Sequence, residues 1–379
     1  MGRRTVLLLT GEPSGDAAGA LLASALRAQE PTVRLVAVGG RRLEAAGCEI
    51  LEDIAALSAM GFAEVLRLVP RLRRLEGRLR RLLAEDPPDV VVPIDYPGFN
   101  LRIARAARAR GIPVVYYIGP QVWAWGAGRL PAIRRAVDRM LVVFPFEAEI
   151  YRRAGIAVEF VGHPLVDALA DAPSREAARA ALGVAEAGPV LGLVPGSRPQ
   201  EVARIFPVMA EAAAAVRRGR RDLTVIASRA GDVPAAEYER ALARAGDSVT
   251  LSSSPVTTIA AASDVLLVTS GTATLESALA GTPLAVLYRT SAITWFVSKR
   301  IVTIPRIALV NIVAGEDLAP EFLQDAARPE AVAAWAEAVL ADDAGRASLG
   351  ARLAGLRAKL GEPGASARAA AAVLREVRA

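Results

Sequence analysis

One cysteine and one histidine occur in 379 residues. Cys48 has no partner for an intramolecular disulfide, which fits a reducing cytosol. With His163 as the sole imidazole and a single thiol, a zinc site is not expected, nor any other metal or cofactor. No run of 18 or more apolar residues occurs, so a membrane-spanning helix is not expected. The N-terminal stretch MGRRTVLLLTGE loses its apolar character too soon for a secretory signal, and no cleavage site follows. Val6 stands where an N-myristoylation signal needs Ser or Thr. The Gly-Lys-Ser/Thr of a Walker A loop is missing, and so is Gly-x-Gly-x-x-Gly after a first strand. ATP hydrolysis and dinucleotide chemistry therefore lose ground.

What is present is a large apolar fraction, 53%, with a mean hydropathy of +0.32. The length calls for two domains. Apolar runs alternate with alanine-rich amphipathic stretches at the spacing of βα units. In the first half, strands are expected at Thr5–Thr10, Val33–Val38, Val90–Ile94, Val114–Ile118 and Asp138–Val143. Many are apolar on successive residues, which suits parallel strands covered on both faces. Residues 161–174, VGHPLVDALADAPS, punctuate the chain as a linker. A second series follows at Pro189–Val194, Leu223–Ala227, Val249–Leu251, Val265–Val268 and Leu284–Leu287, and the tail from about 330 reads as helices alone. The expected class is α/β, with two Rossmann-like, doubly wound domains over 1–165 and 170–358. The helix at about 360–379 is expected to pack back on the first.

Ligands of open α/β sheets bind at the carboxyl ends of strands, so the loops after strands are the ones to read. In the second half, Gly196, Ser197 and Arg198 stand between a strand and a helix, where free N–H groups and a guanidinium receive an anion. Ser270, Gly271 and Thr272 repeat the arrangement, with Thr274 in the first helical turn and Glu276 one turn on, placed for ribose hydroxyls. Either loop alone also reads as an ordinary helix cap; two in one half point to a nucleotide diphosphate. In the first half the strand ends carry acids and amides. The opening loop GEPSGD brings Glu12 and Asp16 where a phosphate would meet repulsion. Asp95 follows a buried strand and is followed by Pro97, Gly98 and Asn100. It serves equally as a general base or as the head of an Asx-turn. Gln121, Trp123 and Trp125 form a further strand-end loop, and His163 lies at the domain junction. Arg289 and Asn311 follow late elements of the second half.

GEPSGD, IDYPGFN, PQVWAW, GHPL, PGSR and SGTATLE occur in the order and spacing of the lipid-A-disaccharide synthase family, and the resemblance covers essentially the whole chain. It implies an inverting, metal-independent glycosyltransferase of the GT-B fold, its two domains facing a central cleft. Such enzymes join UDP-2,3-diacylglucosamine to 2,3-diacylglucosamine 1-phosphate (lipid X), giving lipid A disaccharide 1-phosphate and UDP. By this resemblance Asp95 is the base for the acceptor 6-hydroxyl and Arg198 meets the UDP diphosphate. Gly196, Ser197, Ser270, Gly271, Thr272 and Glu276 hold the nucleotide. Glu12, Ser14, Gly15, Asp16, Asn100, Gln121, His163 and Asn311 line the acceptor side. The chain departs from the family pattern at Gly119, where Ser is frequent, and at Val310, where Leu-Pro-Asn is frequent.

Net charge is +6, and the segment 67–81, RLVPRLRRLEGRLRR, alone carries seven arginines against one glutamate. Leu68, Leu72, Leu75, Leu79 and Leu82 recur at three- and four-residue steps, in a helix expected to begin at Pro70. The pattern reads as a sheet-covering helix with a solvated basic face, or as a helix lying in a membrane surface. The lipid substrates that the resemblance implies favour the second, with Met60, Phe62 and Leu66 joining the contact. The chain is then expected to be peripheral on the cytoplasmic face of the inner membrane, as a monomer or homodimer. Nucleic acid is not expected, for no aromatic residues interleave the charges. The alternatives from the residues are another UDP-sugar enzyme of the same architecture, such as a UDP-GlcNAc 2-epimerase or a glycosyltransferase with a different lipid acceptor, and a silent nucleotide-sugar sensor.

Overall fold

The computed structural model describes residues 4–54, 62–170, 172–231, 233–245, 249–301 and 304–377. Met60 lies outside them, and the side chains of residues 62–68, including Phe62, Leu66 and Leu68, lie outside the description too. The chain divides into two compact units, the first comprising 1–168, 301–303 and 360–379, the second 169–300 and 304–359.

In the first unit, β1 (Thr5–Leu9), β2 (Arg34–Gly39), β3 (Glu49–Asp53) and β4 (Val90–Pro93) form a parallel sheet in the order β3-β2-β1-β4. A second parallel sheet is β5 (Val115–Tyr117), β6 (Arg139–Val142) and β7 (Val158–Phe160). Parallel bridges Val91–Val114 and Ile94–Tyr117 join β4 to β5 and make the whole one continuous run. The second unit holds β8 (Val190–Val194), β9 (Thr224–Ser228), β10 (Thr250–Ser252), β11 (Val265–Thr269), β12 (Leu284–Tyr288) and β13 (Glu321–Leu323), parallel in the order β10-β9-β8-β11-β12-β13. Val6–Leu9 and Val265–Val268 have no solvent exposure, as expected where helices cover both faces of a parallel sheet. In each unit the strand order reverses once, between β1 and β4 and between β8 and β11. Those reversals open the crevice in which doubly wound folds take ligands.

Helix starts follow a repeated rule. Pro13, Pro97, Pro145, Pro199 and Pro329 occupy the first turns of their helices, where a missing N–H costs nothing and φ is already helical. Three strands escape the sequence reading: β3, β7 and β13. All are at sheet edges, short, and carry Glu49, Glu52, Asp53, Glu159 or Glu321. A strand with one neighbour needs no unbroken apolar run, and charge on it discourages further pairing.

The arginine-rich helix differs from expectation in two ways. It spans Phe62–Glu85 and runs through Pro70 instead of starting there; the break in its ladder is confined to the carbonyl four residues earlier. Leu75 and Leu79 are buried at 2% and 1% exposure within the first unit's core, with Leu83, while Leu72 and Leu82 pack at its margin. Leu75, Leu79 and Leu83 pack in that core and are not available to a membrane. The arginines take the outer side. Arg71 and Arg78 pair with Glu52 at 2.7 and 3.0 Å and Arg80 with Glu76 at 2.9 Å, whereas Arg73, Arg74 and Arg81 are exposed.

The C-terminal helix Ala365–Glu376 packs on the helix Pro13–Gln29. Asp167 fixes its start, accepting from the backbone N–H groups of Gly364, Ala365 and Ser366 at 2.6, 3.2 and 2.8 Å. Gly364 at φ 90° supplies the left-handed residue the turn needs. Asp167→Ala removes the acceptor for three orphan donors and is expected to destabilise the first unit by about 1–2 kcal/mol. Urea unfolding, with hydrogen exchange read over 365–376, checks this; unchanged protection there would contradict the assigned cap.

Candidate functional site

Three strand ends of the first unit converge on Asp95. Asp95 and Tyr96 have φ of 49° and 50°, and Ile118, at the end of β5, has 57°. Non-glycine residues in the left-handed region cost on the order of 1–3 kcal/mol each and persist only where their surroundings over-determine them. Here the restraints are visible. Asn100, fully buried, donates its Nδ2 to the carbonyls of Asp95 at 2.8 Å and of Leu9, at the end of β1, at 3.0 Å. The Tyr116 hydroxyl donates to the Asp95 carbonyl at 2.6 Å. The Asp95 N–H reaches the carbonyls of Tyr117 and Ile118, each at 3.2 Å. The turn is thus tied to β1, β4 and β5, and the Asp95 carboxylate stands half-buried at the strand reversal. Asn100 is a positioning residue under that turn, not part of an acceptor wall.

The opening loop lies against the same turn. A Cβ on Gly11 would fall 2.2 Å from the Tyr96 ring, so only glycine lets the ring close over the loop. Burial, then the charge of Glu12, raise the Tyr96 pKa, and Arg102 opposes them. Glu12 is half-buried, Ser14 exposed and Gly15 buried. Asp16 does something the sequence reading did not assign. It is 5% exposed, and its carboxylate accepts from the backbone of Gly40, Arg42 and Leu43 at 2.6, 3.1 and 3.4 Å. It anchors the loop after β2, not a sugar.

The loop after β5 carries Gln121, which is exposed, and two tryptophans of different roles. Trp123 donates its indole N–H to Glu147 Oε1 at 2.9 Å and meets Phe146 edge-on. Glu147 is 1% exposed and also accepts from the Phe144 N–H at 3.2 Å. Burial lifts its carboxyl to about 7 against those hydrogen bonds. No sequence motif singled it out, though a Glu three residues into a helix is a capping-box position. Trp125 is 38% exposed, with the Arg129 guanidinium over its ring. At Gly119, where the family favours Ser, a Cβ would lie 2.8 Å from both Met140 Sδ and Tyr151 Oη; Tyr151, donating to the Pro120 carbonyl at 2.6 Å, takes that space.

His163 is buried against Phe144, and its Nδ1 accepts from the Leu165 N–H at 3.1 Å. Burial holds its pKa down to about 4. It is a neutral junction residue, not a charged ligand-binding one.

In the second unit the two motif loops follow β8 and β11, the strands that flank the reversal. Gly196 has φ 109° and a Cβ there would meet Glu201 Oε2 at 2.4 Å. Glu201 folds back over the helix start, accepting from Ser197 N–H at 3.2 Å and Arg198 at 2.7 Å. Its carboxylate thereby engages two donors that suit a phosphate. Gly271, at φ 149° and ψ −166°, lies in a region essentially closed to other residues and opens the helix Thr272–Leu279. The buried Thr274 hydroxyl donates to its carbonyl at 2.8 Å. Ser270 and Glu276 are half-buried beside it.

Asn311 and Arg289 do not belong with these. The buried Asn311 amide donates to the Ala319 carbonyl at 2.7 Å and to Glu321 at 3.0 Å, and accepts from the Ala319 N–H at 2.9 Å. Arg289 donates to the carbonyls of Gln324 and Ala327 at 3.2 and 2.8 Å. Both staple the β13 region. Val310 is the second residue of the helix Leu309–Ala314, in a first turn, where Pro is tolerated as well.

Comparison with known proteins agrees with this arrangement of motifs. The family model for lipid-A-disaccharide synthetase matches residues 6–372. A lipid-A-disaccharide synthase of Alkalilimnicola ehrlichii is 44% identical over 97% of each chain. One of Geobacter sulfurreducens is 41% identical over 97% of this chain and 96% of its own. Among solved structures, UDP-GlcNAc 2-epimerase from Neisseria meningitidis bound to UDP-GlcNAc superposes with a TM-score of 0.67 at 13% identity, covering 98% of this chain and 99% of that one. Acinetobacter baumannii MurG gives 0.59 at 15%, over 99% and 100%. At such identities the structures show the fold alone, the α/β GT-B arrangement of two Rossmann-like units. The full-length family match and the sequence identities go further: this chain belongs to the lipid-A-disaccharide synthase family.

Proposed function

We propose that this glycosyltransferase of lipid A biosynthesis joins UDP-2,3-diacylglucosamine to the 6-hydroxyl of 2,3-diacylglucosamine 1-phosphate with inversion, releasing UDP. The observation that carries the chemistry is the strained Asp95 turn, a carboxylate held at a strand reversal by three neighbouring strands. Asp95 takes the proton of the acceptor hydroxyl as that oxygen attacks the donor's anomeric carbon and the bond to UDP breaks. Charge then grows on the diphosphate. Arg198 and the N–H groups opening the helix Pro199–Gly219 offset it, with Ser270, Gly271 and Thr272 at the second helix start and Glu276 on the ribose. Glu201 yields Arg198 and the Ser197 N–H to the phosphates when donor arrives. A UDP-GlcNAc 2-epimerase shares the fold but not the family, and is not favoured.

Glu12, Ser14 and Gly15 border the base turn, and Gln121 with the Trp123 loop completes the acceptor side. Among the described residues no helix is long and apolar enough to cross a membrane. Access to lipid substrates is assigned to the exposed arginines of the helix Phe62–Glu85. Arginines near an anionic leaflet are each worth about 1 kcal/mol. The site of action is the cytoplasmic face of the inner membrane.

Two measurements test the machinery. Asp95→Asn is expected to lower acceptor-dependent UDP release about 10²–10⁴-fold while UDP binding persists; full activity would remove Asp95 as the base and turn attention to Glu12. Glu147→Gln tests the loop behind it. A carboxyl raised from 4.5 to about 7 in the fold keeps a proton that the unfolded chain has released, so its contribution to stability falls as pH rises through that window. Urea titrations at pH 5 and pH 8 should therefore show the variant gaining on wild type by up to ~3 kcal/mol at the higher pH. His163, lowered by burial, carries the opposite slope in both proteins and cancels. A pH-independent difference would show that Glu147 does not titrate in this range.

A further inference from the structure

We propose that Arg129, laid across the Trp125 indole, is the residue that receives the phosphate borne by the acceptor sugar. The inference rests on the proposed reaction and adds to it a subsite at the far end of the acceptor from the attacking hydroxyl.

The guanidinium carbon lies 4.2 Å from the Trp125 ring centroid, and the indole is 38% exposed. Among the described residues no acid pairs with Arg129, whereas Arg102 is paired with Glu76 and Arg139 with Glu376. The chain is shaped to place it. Gly126, at φ 81°, lets the loop turn back, and a Cβ there would lie 3.3 Å from Arg129 Nε. The Arg129 N–H closes that turn on the Gly126 carbonyl at 2.9 Å. The loop is itself pinned by the Trp123–Glu147 hydrogen bond. Burial and then the charge of Asp95 raise the pKa of the Tyr116 hydroxyl, and the charge of Arg129 works against them. One hydroxyl therefore feels both groups, and it is the hydroxyl that holds the Asp95 carbonyl.

The chemistry fits an anion on a sugar. A guanidinium stacked on an aromatic face keeps its N–H edge free to fork two phosphate oxygens, and the stack fixes it without taking up a donor. An acceptor with its nucleophile at one end and a phosphate at the other is oriented by a base and a cation set apart. Trp125 offers the sugar a flat apolar edge beside that cation. The same cation would also suit the anionic headgroup of a bilayer lipid, and the test separates the two sources.

The test measures UDP release by wild type, Arg129→Ala and Arg129→Lys in neutral mixed micelles, with the phosphorylated acceptor and with 2,3-diacylglucosamine lacking the phosphate. With the phosphorylated acceptor, Arg129→Ala is expected to raise the acceptor KM about 10–100-fold, with the donor KM within about twofold. Wild type given the dephosphorylated acceptor should lose as much, combining the two changes should add little, and lysine should restore part of the loss. Equal losses by Arg129→Ala on both acceptors would make Arg129 a structural residue and overturn the inference. An unchanged KM in neutral micelles would overturn the inference, and a loss seen only when vesicles containing an anionic lipid replace them would assign Arg129 to the membrane headgroup instead. If Arg129→Ala does not fold, as judged by its melting, the lysine variant carries the comparison. Wild type that releases no UDP with the phosphorylated acceptor would overturn the proposed reaction itself, and this subsite with it.

Discussion

The Asp95 turn of the first unit depends on a single buried amide. Asn100 donates at once to the end of β1 and to the carbonyl of Asp95, and with the Tyr116 hydroxyl it makes two successive left-handed residues the lowest available arrangement. Without those bonds the Asp95–Tyr96 turn would relax toward ordinary φ values, at a gain of roughly 1–3 kcal/mol per residue. The carboxylate would then leave the strand reversal. Gly11 belongs to the same constraint, because the Tyr96 ring that follows Asp95 fills the space its missing Cβ leaves. The opening loop therefore buttresses the Asp95 turn, while its buried acid, Asp16, holds the loop after β2.

The two units solve one topological problem with opposite charge. Each has a parallel sheet whose order reverses once, and each puts its motif loops on the strands beside that reversal. In the first, they present a carboxylate on a turn whose carbonyl is held by an amide and a hydroxyl. In the second they present helix starts, a guanidinium and glycines in conformations that other residues avoid. Glu201 shows how strong the anion preference of the second site is, for the chain supplies its own carboxylate to Ser197 and Arg198. An anion that takes the place of the Glu201 carboxylate meets donors already gathered around a negative charge.

The arginine-rich helix illustrates how a pattern is divided by packing. Its leucine stripe and its arginines look like one amphipathic device. The core takes Leu75, Leu79 and Leu83, and Glu52 and Glu76 take several of the arginines. Along residues 71–81 what faces outward is a set of guanidinium groups, whose interactions with other charges are salt-sensitive.

From the residues alone the α/β class, the central strands and six motif loops could be read, because buried parallel strands are continuous apolar runs and glycine, proline and capping residues mark where they end. The edge strands β3, β7 and β13 could not, since a strand solvated on one side has no such signature. The positions of Asp95 and Arg198 at strand ends were legible. The roles of Asp16, Asn100, His163 and Asn311 were not. A polar side chain has the same letter whether it faces a ligand or satisfies buried backbone, and only the fold decides which N–H and carbonyl groups surround it. The same holds for Glu147, whose partner is an indole in a loop. For those residues, hydrogen-bond demand in the packed interior fixed the role.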